Sequence, residues 1–139
     1  METPISLNWK IAGRAGEGVM VTSELFARMC QRHGLFVFNY YEYPSLIKGG
    51  HQTGQVFASS EQASCQKRTL DVLVALNERG LQEHEQEITP DTIILIDAGG
   101  DSTELDKYNS LSKYVFRIDF TKISREIMGT SLAANTATV

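Results

Sequence analysis

Apolar residues along this chain follow two rhythms. Unbroken or nearly unbroken runs stand at Trp9 to Ala12, Leu35 to Phe38, Leu70 to Leu76 and Ile93 to Ile96, with weaker ones at Thr53 to Ala58 and Tyr114 to Ile118. Short apolar runs bounded by turn formers suit strands covered on both faces. Between the first two runs the rhythm changes. Val21, Leu25 and Met29 share a stripe, with Thr22, Phe26 and Cys30 beside it, all at helical spacing. His33-Gly34 reads as that helix's stop. From Tyr40 to Ser45 the chain leaves the strand pattern for a loop, where Pro44 biases Tyr43 towards an extended backbone.

Further on, Asn77 can cap a helix beginning near Glu78, within "ERGLQEHEQEI", whose Glu83, Glu85 and Glu87 read as a solvated face. Thr89-Pro90-Asp91 stops it, the turn at Asp97 to Gly100 ends the next strand, and Ile123 to Met128 is a short helical turn. Strands alternating with helices predict an α/β fold: a single three-layer domain with a largely parallel sheet and helices on both faces. The final "SLAANTATV" reads equally as the start of a packed helix, the chain stopping short of it, or as a frayed tail.

Composition narrows the classes. The 139 residues suffice for one core, and a hydrophobic content of 42% fits a folded domain. A formal charge of −4 weighs against nonspecific nucleic-acid binding, and no run reaches membrane-span length. With no leader-like start, the cytoplasm is the expected location. Cys30 and Cys65 form no C-x-x-C pair and cannot ligate an iron–sulphur cluster alone, so both are expected to be buried or half-buried thiols.

Two glycine-rich segments stand out. Gly13, Gly16 and Gly18 are spaced G-x-x-G-x-G between strand and helix, which differs from the dinucleotide fingerprint G-x-G-x-x-G. Backbone N–H groups at a helix start still favour an anion, whereas the Glu17 carboxylate would repel a phosphate. Glu42 stands roughly where an acidic ribose-binding residue would. A tight turn serving only packing is the competing reading.

The second segment is "EYPSLIKGGHQT", Glu42 to Thr53. Tyr43, Ser45, Lys48, Gly49, Gly50 and His51 combine hydroxyls, a mobile charge, a permissive backbone and an imidazole, which suits docking or ligand contact better than chemistry. A polar surface loop is the alternative. His33, His51 and His84 have no metal-like spacing, G-x-S-x-G is absent, and no nucleophile and base stand together.

"GRAGEGV" at Gly13 to Val19, followed by Tyr40 to Thr53, "DVLVALNE" at Asp71 to Glu78 and "IDFTKISREIMG" at Ile118 to Gly129, resembles the gamma domain of 2-oxoacid:ferredoxin (acceptor) oxidoreductases. That family includes the pyruvate, 2-oxoglutarate, branched-chain oxoacid and indolepyruvate enzymes. The resemblance covers nearly all of residues 1–139 and implies a gamma subunit or segment that ends before its final helix. Lys48 stands where the family usually carries arginine, and Arg14 and Ala15 where small residues are frequent. The resemblance further implies a supporting role in oxidative decarboxylation of a 2-oxoacid to acyl-coenzyme A. Thiamine diphosphate, Mg and [4Fe–4S] clusters would sit on alpha, beta or ferredoxin-like delta subunits or on a downstream segment. Coenzyme A would be a substrate, with electrons reaching ferredoxin through the complex. Gly13, Gly16, Gly18, Tyr43, Ser45, Lys48, Gly49, Gly50, His51 and Asn77 are the binding or interface candidates, none of them catalytic. A free-standing nucleotide- or coenzyme A-binding module is the second reading.

Overall fold

The structure, a computed structural model, describes residues 4–43, 50–62, 64–99, 105–131 and 134–139. Six strands form one sheet: β1 (Ser6–Arg14), β2 (Phe36–Glu42), β3 (His51–Ser59), β4 (Val72–Ala75), β5 (Ile93–Asp97) and β6 (Tyr114–Ile118), in the order β2-β3-β1-β4-β5-β6. Strands β1, β4, β5 and β6 pair in parallel, while β3 runs antiparallel to both β1 and β2. Strand β2 therefore points the same way as β1, and β3 alone is reversed. This is the largely parallel α/β sheet expected from the alternating pattern.

Among the described residues, three α-helices accompany it: α1 (Val19–Arg32), α2 (Glu78–Gln82) and α3 (Phe120–Met128). One sheet face packs Trp9, Ile11, Val56 and Val74 against Val19 and Ala27 of α1 and Phe120 of α3. The other packs Ala12, Leu73, Ala75, Ile94 and Ile96 against Leu81 of α2 and the buried Tyr108. Alternate residues of each strand feed opposite faces, so the central runs Trp9 to Ala12 and Leu73 to Ala75 are buried on both, whereas Leu35 to Phe38, partly in edge strand β2, is not, Phe36 being 52% exposed.

Several elements depart from the sequence pattern. Tyr40, Tyr41 and Glu42 stay in β2, where they pair with Gln55, Gly54 and Thr53; the backbone ladder overrides their weak alternation. The stripe Val21, Leu25, Met29 of α1 faces outward, Val21 being 66% exposed. The buried face is Val19, Thr22, Ser23, Ala27 and Cys30, because small residues let the helix lie close on β3. A Cβ added at Gly54 of β3 would come within 2.5 Å of Ser23 Cβ.

The acidic helix is only five residues long, and a 3₁₀ turn at Glu85–Glu87 follows it. Its Glu87 is not solvated as expected: the carboxylate bonds the buried Lys10, and His84 beside it is buried too. Cys30 is buried but Cys65 is exposed, against the expectation of two shielded thiols. At the end of the chain a short 3₁₀ turn forms at Thr136–Thr138.

Candidate functional site

The first glycine segment is a hard turn between strand and helix. Gly16 and Gly18 have φ of 95° and 77°, a left-handed backbone that other residues adopt at a cost. Gly13 is still in β1, where a Cβ would stand 2.7 Å from the Glu17 carboxylate. That carboxylate is folded into the loop. Its Oε2 accepts from the Arg14 N–H at 2.6 Å and from Asn77 Nδ2 at 3.2 Å. The carboxylate satisfies one donor of this loop and one of Asn77, and its negative charge stays beside the cavity.

Asn77 ties this loop to the next. Its Oδ1 accepts from the Gly80 N–H at 3.1 Å, capping α2 as the sequence predicted, while its amide nitrogen reaches Glu17. Both ends of the side chain are therefore engaged in positioning.

The end of the second glycine segment, Gly50 and His51, lies beside the first. Gly50 is buried, and its carbonyl accepts from the Ala15 N–H at 3.0 Å, which joins the two segments directly. His51 opposes Arg14 in the β1–β3 register and is half-buried rather than part of an exposed loop. Strand pairing draws it in. Tyr43 is 59% exposed at the same sheet end. Ser45, Lys48 and Gly49 lie outside the described residues.

A cavity of about 320 Å³ opens where β1 and β4 end. Loops leaving these two parallel neighbours turn to opposite faces, α1 to one and α2 to the other, and such a switch point leaves a crevice for ligands. Gly16, Gly18, Leu76, Asp97, Phe120 and Asn135 are among its walls. Gly18 caps α1 without a side-chain bond and the first turn of α1 holds no carboxylate, but Glu17, immediately before the cap, also lines the cavity and sets a negative charge beside the helix start.

Of the sequence candidates, Gly13, Gly16, Gly18, Gly50, His51 and Asn77 meet at this end. Asp97 and Asn135 were not singled out as site residues. Asp97 read as a strand-ending turn, and Asn135 comes from the far end of the chain. Among the described residues, no three of His, Cys, Asp and Glu could together hold a metal ion, and no helix is long and apolar enough to cross a membrane.

A polar cluster with no sequence signal lies on the second sheet face. Lys10 is 4% exposed, and its Nζ donates to Glu87 Oε1 and Oε2 at 2.8 and 2.6 Å. His84 Nδ1 lies 2.6 Å from Glu87 Oε1, and its Nε2 lies 3.1 Å from His51 Nε2. Burial opposes ionisation of Glu87, but the His84 and Lys10 hydrogen bonds outweigh it and hold the carboxyl below its ordinary value. Burial, then the nearby His84, pushes the His51 imidazole below its ordinary value.

Residues 8–139 match the family model described as pyruvate ferredoxin/flavodoxin oxidoreductase. The 2-oxoacid:ferredoxin oxidoreductase subunit alpha of a Sulfolobus species is 24% identical over 105 residues, 76% of this chain and 16% of that protein. The chain thus spans about a sixth of that curated relative. Among solved structures, the 2-oxoglutarate:ferredoxin oxidoreductase of Magnetococcus marinus, with 2-oxoglutarate, coenzyme A and succinyl-CoA bound, superposes with a TM-score of 0.82 at 32% identity, covering 94% of this chain and 22% of that one. The gamma subunit of a keto/oxoacid ferredoxin oxidoreductase from Geobacter sulfurreducens shares the fold, with a TM-score of 0.73 at 15% identity, covering 94% of this chain and 70% of that one.

Proposed function

Because the chain belongs to the pyruvate ferredoxin/flavodoxin oxidoreductase family, we propose that it is the gamma subunit, or gamma segment of a fused alpha subunit, of a thiamine diphosphate-dependent 2-oxoacid:ferredoxin oxidoreductase. The enzyme oxidatively decarboxylates a 2-oxoacid to an acyl-coenzyme A in the cytoplasm. This chain acts as one gamma-type domain that supports assembly and coenzyme A access. Alpha, beta and ferredoxin-like delta subunits, or a downstream segment, carry the thiamine diphosphate, its Mg ion and the [4Fe–4S] clusters. Ferredoxin is reached through the complex.

The observation that carries this reading is the crevice beyond β1 and β4. The start of α1 at Gly18 offers backbone N–H groups to the diphosphate of coenzyme A, the neighbouring Glu17 carboxylate being held by the Arg14 N–H and Asn77, and Asp97 suits a sugar hydroxyl. Coenzyme A bound in the Magnetococcus enzyme supports the choice of ligand. Gly13, Gly16 and Asn77 shape the loop, while Tyr43, Gly50 and His51 stand at the end of the sheet where a partner or the ligand would dock, a role the sequence also suggests for Ser45, Lys48 and Gly49.

The test is purification of the tagged chain from its own host. Thiamine diphosphate and iron should follow it, and the complex, but not the chain alone, should reduce viologen with a 2-oxoacid and coenzyme A. Lys48→Glu should weaken partner recovery or raise the coenzyme A requirement, and added salt should shrink the difference. Turnover by the chain alone, or recovery without thiamine diphosphate and iron, would overturn the assignment.

A further inference from the structure

The histidine pair His51–His84 is not used by the crevice, yet it sits where β3 begins, one residue after the carbonyl that fastens the two glycine segments. Two contacts and one unpartnered nitrogen fix its protons. His84 Nδ1 faces a carboxylate oxygen at 2.6 Å, so that nitrogen carries a hydrogen and donates to Glu87. The two Nε2 atoms face each other at 3.1 Å, a distance that needs one hydrogen between them and has no room for two. His51 Nδ1 is buried and has no hydrogen-bond partner among the described residues.

An additional proton therefore has two places to go, and both are closed. On the Nε2 pair it sets two N–H groups against each other. On His51 Nδ1 it creates a buried donor without an acceptor among the described residues, on a half-buried imidazolium. We propose that His51 and His84 form a one-proton latch, which holds Gly50 against the β1–α1 loop when the pair shares a single proton and releases it when a second arrives.

The surroundings decide the direction. Glu42 on β2 and Glu83 beside α2 favour a charge on His51, while His84 and Arg79 of α2 oppose it; burial, the largest effect, also opposes it. On β1, Lys10 adds a further cation 3.4 Å from His84 Nδ1, neutralised by Glu87. A histidine held below its ordinary value in the closed state gives stability that is present above about pH 6.5 and is lost as pH falls through the lowered value. Closing is thus favoured at neutral pH and opening in mild acid. The opening breaks the Ala15–Gly50 hydrogen bond, which links the crevice loop to the β2–β3 connection.

The test is NMR on the full chain without ligand, following the histidine ring protons and the protection of the Ala15 amide between about pH 8 and about pH 5. The Leu76 amide, which donates to the Ala12 carbonyl at the same sheet end, is the control. Ala15 protection should fall about tenfold relative to Leu76 through the same transition as the His51 ring. His51→Gln can still donate to His84 Nε2 but takes no proton, so the pH step at Ala15 should vanish while the fold is kept. His51→Asn is a shorter second variant with the same expectation should the first fail to fold. A pH-independent Ala15 protection in the parent, or an unchanged step in the variants, would overturn the latch.

Discussion

Replacing Lys10 by methionine tests the least expected feature of the fold, an ammonium group placed between two core residues. Lys10 lies in β1 between Trp9 and Ile11, both buried, and by alternation it faces the opposite layer. Its side chain is 5% exposed and that of Glu87 is 24% exposed. Breaking a fully buried ion pair from one side costs about 3–5 kcal/mol, because a charge is left without its partner. Glu87 keeps part of its water and retains His84 at 2.6 Å, so the expected loss is smaller, about 2–3 kcal/mol. With a urea slope of roughly 1–3 kcal/mol/M, the midpoint should fall by about 0.7–3 M.

The pairing predicts more than a size. In Lys10→Met/Glu87→Gln the acceptor for His84 remains but no orphaned carboxylate does, so the double variant should be more stable than Lys10→Met alone. The pH dependence has a fixed sign. Glu87 is held below its ordinary value in the folded state, so its pairing contributes above about pH 4.5 and is lost as pH falls through the lowered value. The gap between parent and Lys10→Met should narrow accordingly in acid. A loss below about 0.5 kcal/mol at neutral pH, or a gap that widens in acid, would refute the assignment of Lys10 as a buried, paired cation.

Two substitutions probe how the layers and loops are joined. Gly54→Ala would place a Cβ 2.5 Å from Ser23 Cβ and 2.6 Å from Ser23 Oγ, pushing α1 off β3. It should cost about 1–3 kcal/mol in urea unfolding, and Ser23→Gly in the same chain should recover part of it; an unchanged midpoint would mean the helix has slack. Asn77→Asp keeps the oxygen that caps α2 but replaces the donor 3.2 Å from Glu17 Oε2 with a second carboxylate oxygen. The two like charges should destabilise the domain by about 1 kcal/mol at neutral pH and less in acid, where one of them takes a proton. Equal stability of parent and variant at both pH values would break the link drawn between the two loops.

What the sequence made legible, and what it hid, divides along a physical line. Strands such as β4 announce themselves because burial on both faces demands an apolar run, here Val72 to Ala75 within Leu70 to Leu76, and Asn77 announces a cap because the bond is only three residues long. The orientation of α1 was hidden, since a hydrophobic reading favours Val21, Leu25 and Met29 over Ser23 and Ala27. What decides the buried face is the glycine across from Ser23, on a strand thirty-one residues further on. The polar cluster was hidden for a stronger version of the same reason. Lys10 and Glu87 are 77 residues apart, and His51 and His84 are 33 apart. No local spacing can register such pairs, and a lysine in an apolar run looks like an interruption until its carboxylate is placed. The glycine segments fall between these cases. Each could be read alone as a turn, but their joint meaning rests on one hydrogen bond from Ala15 to Gly50 and one from Asn77 to Glu17. Those two bonds tie three separate loops into a single end of the sheet.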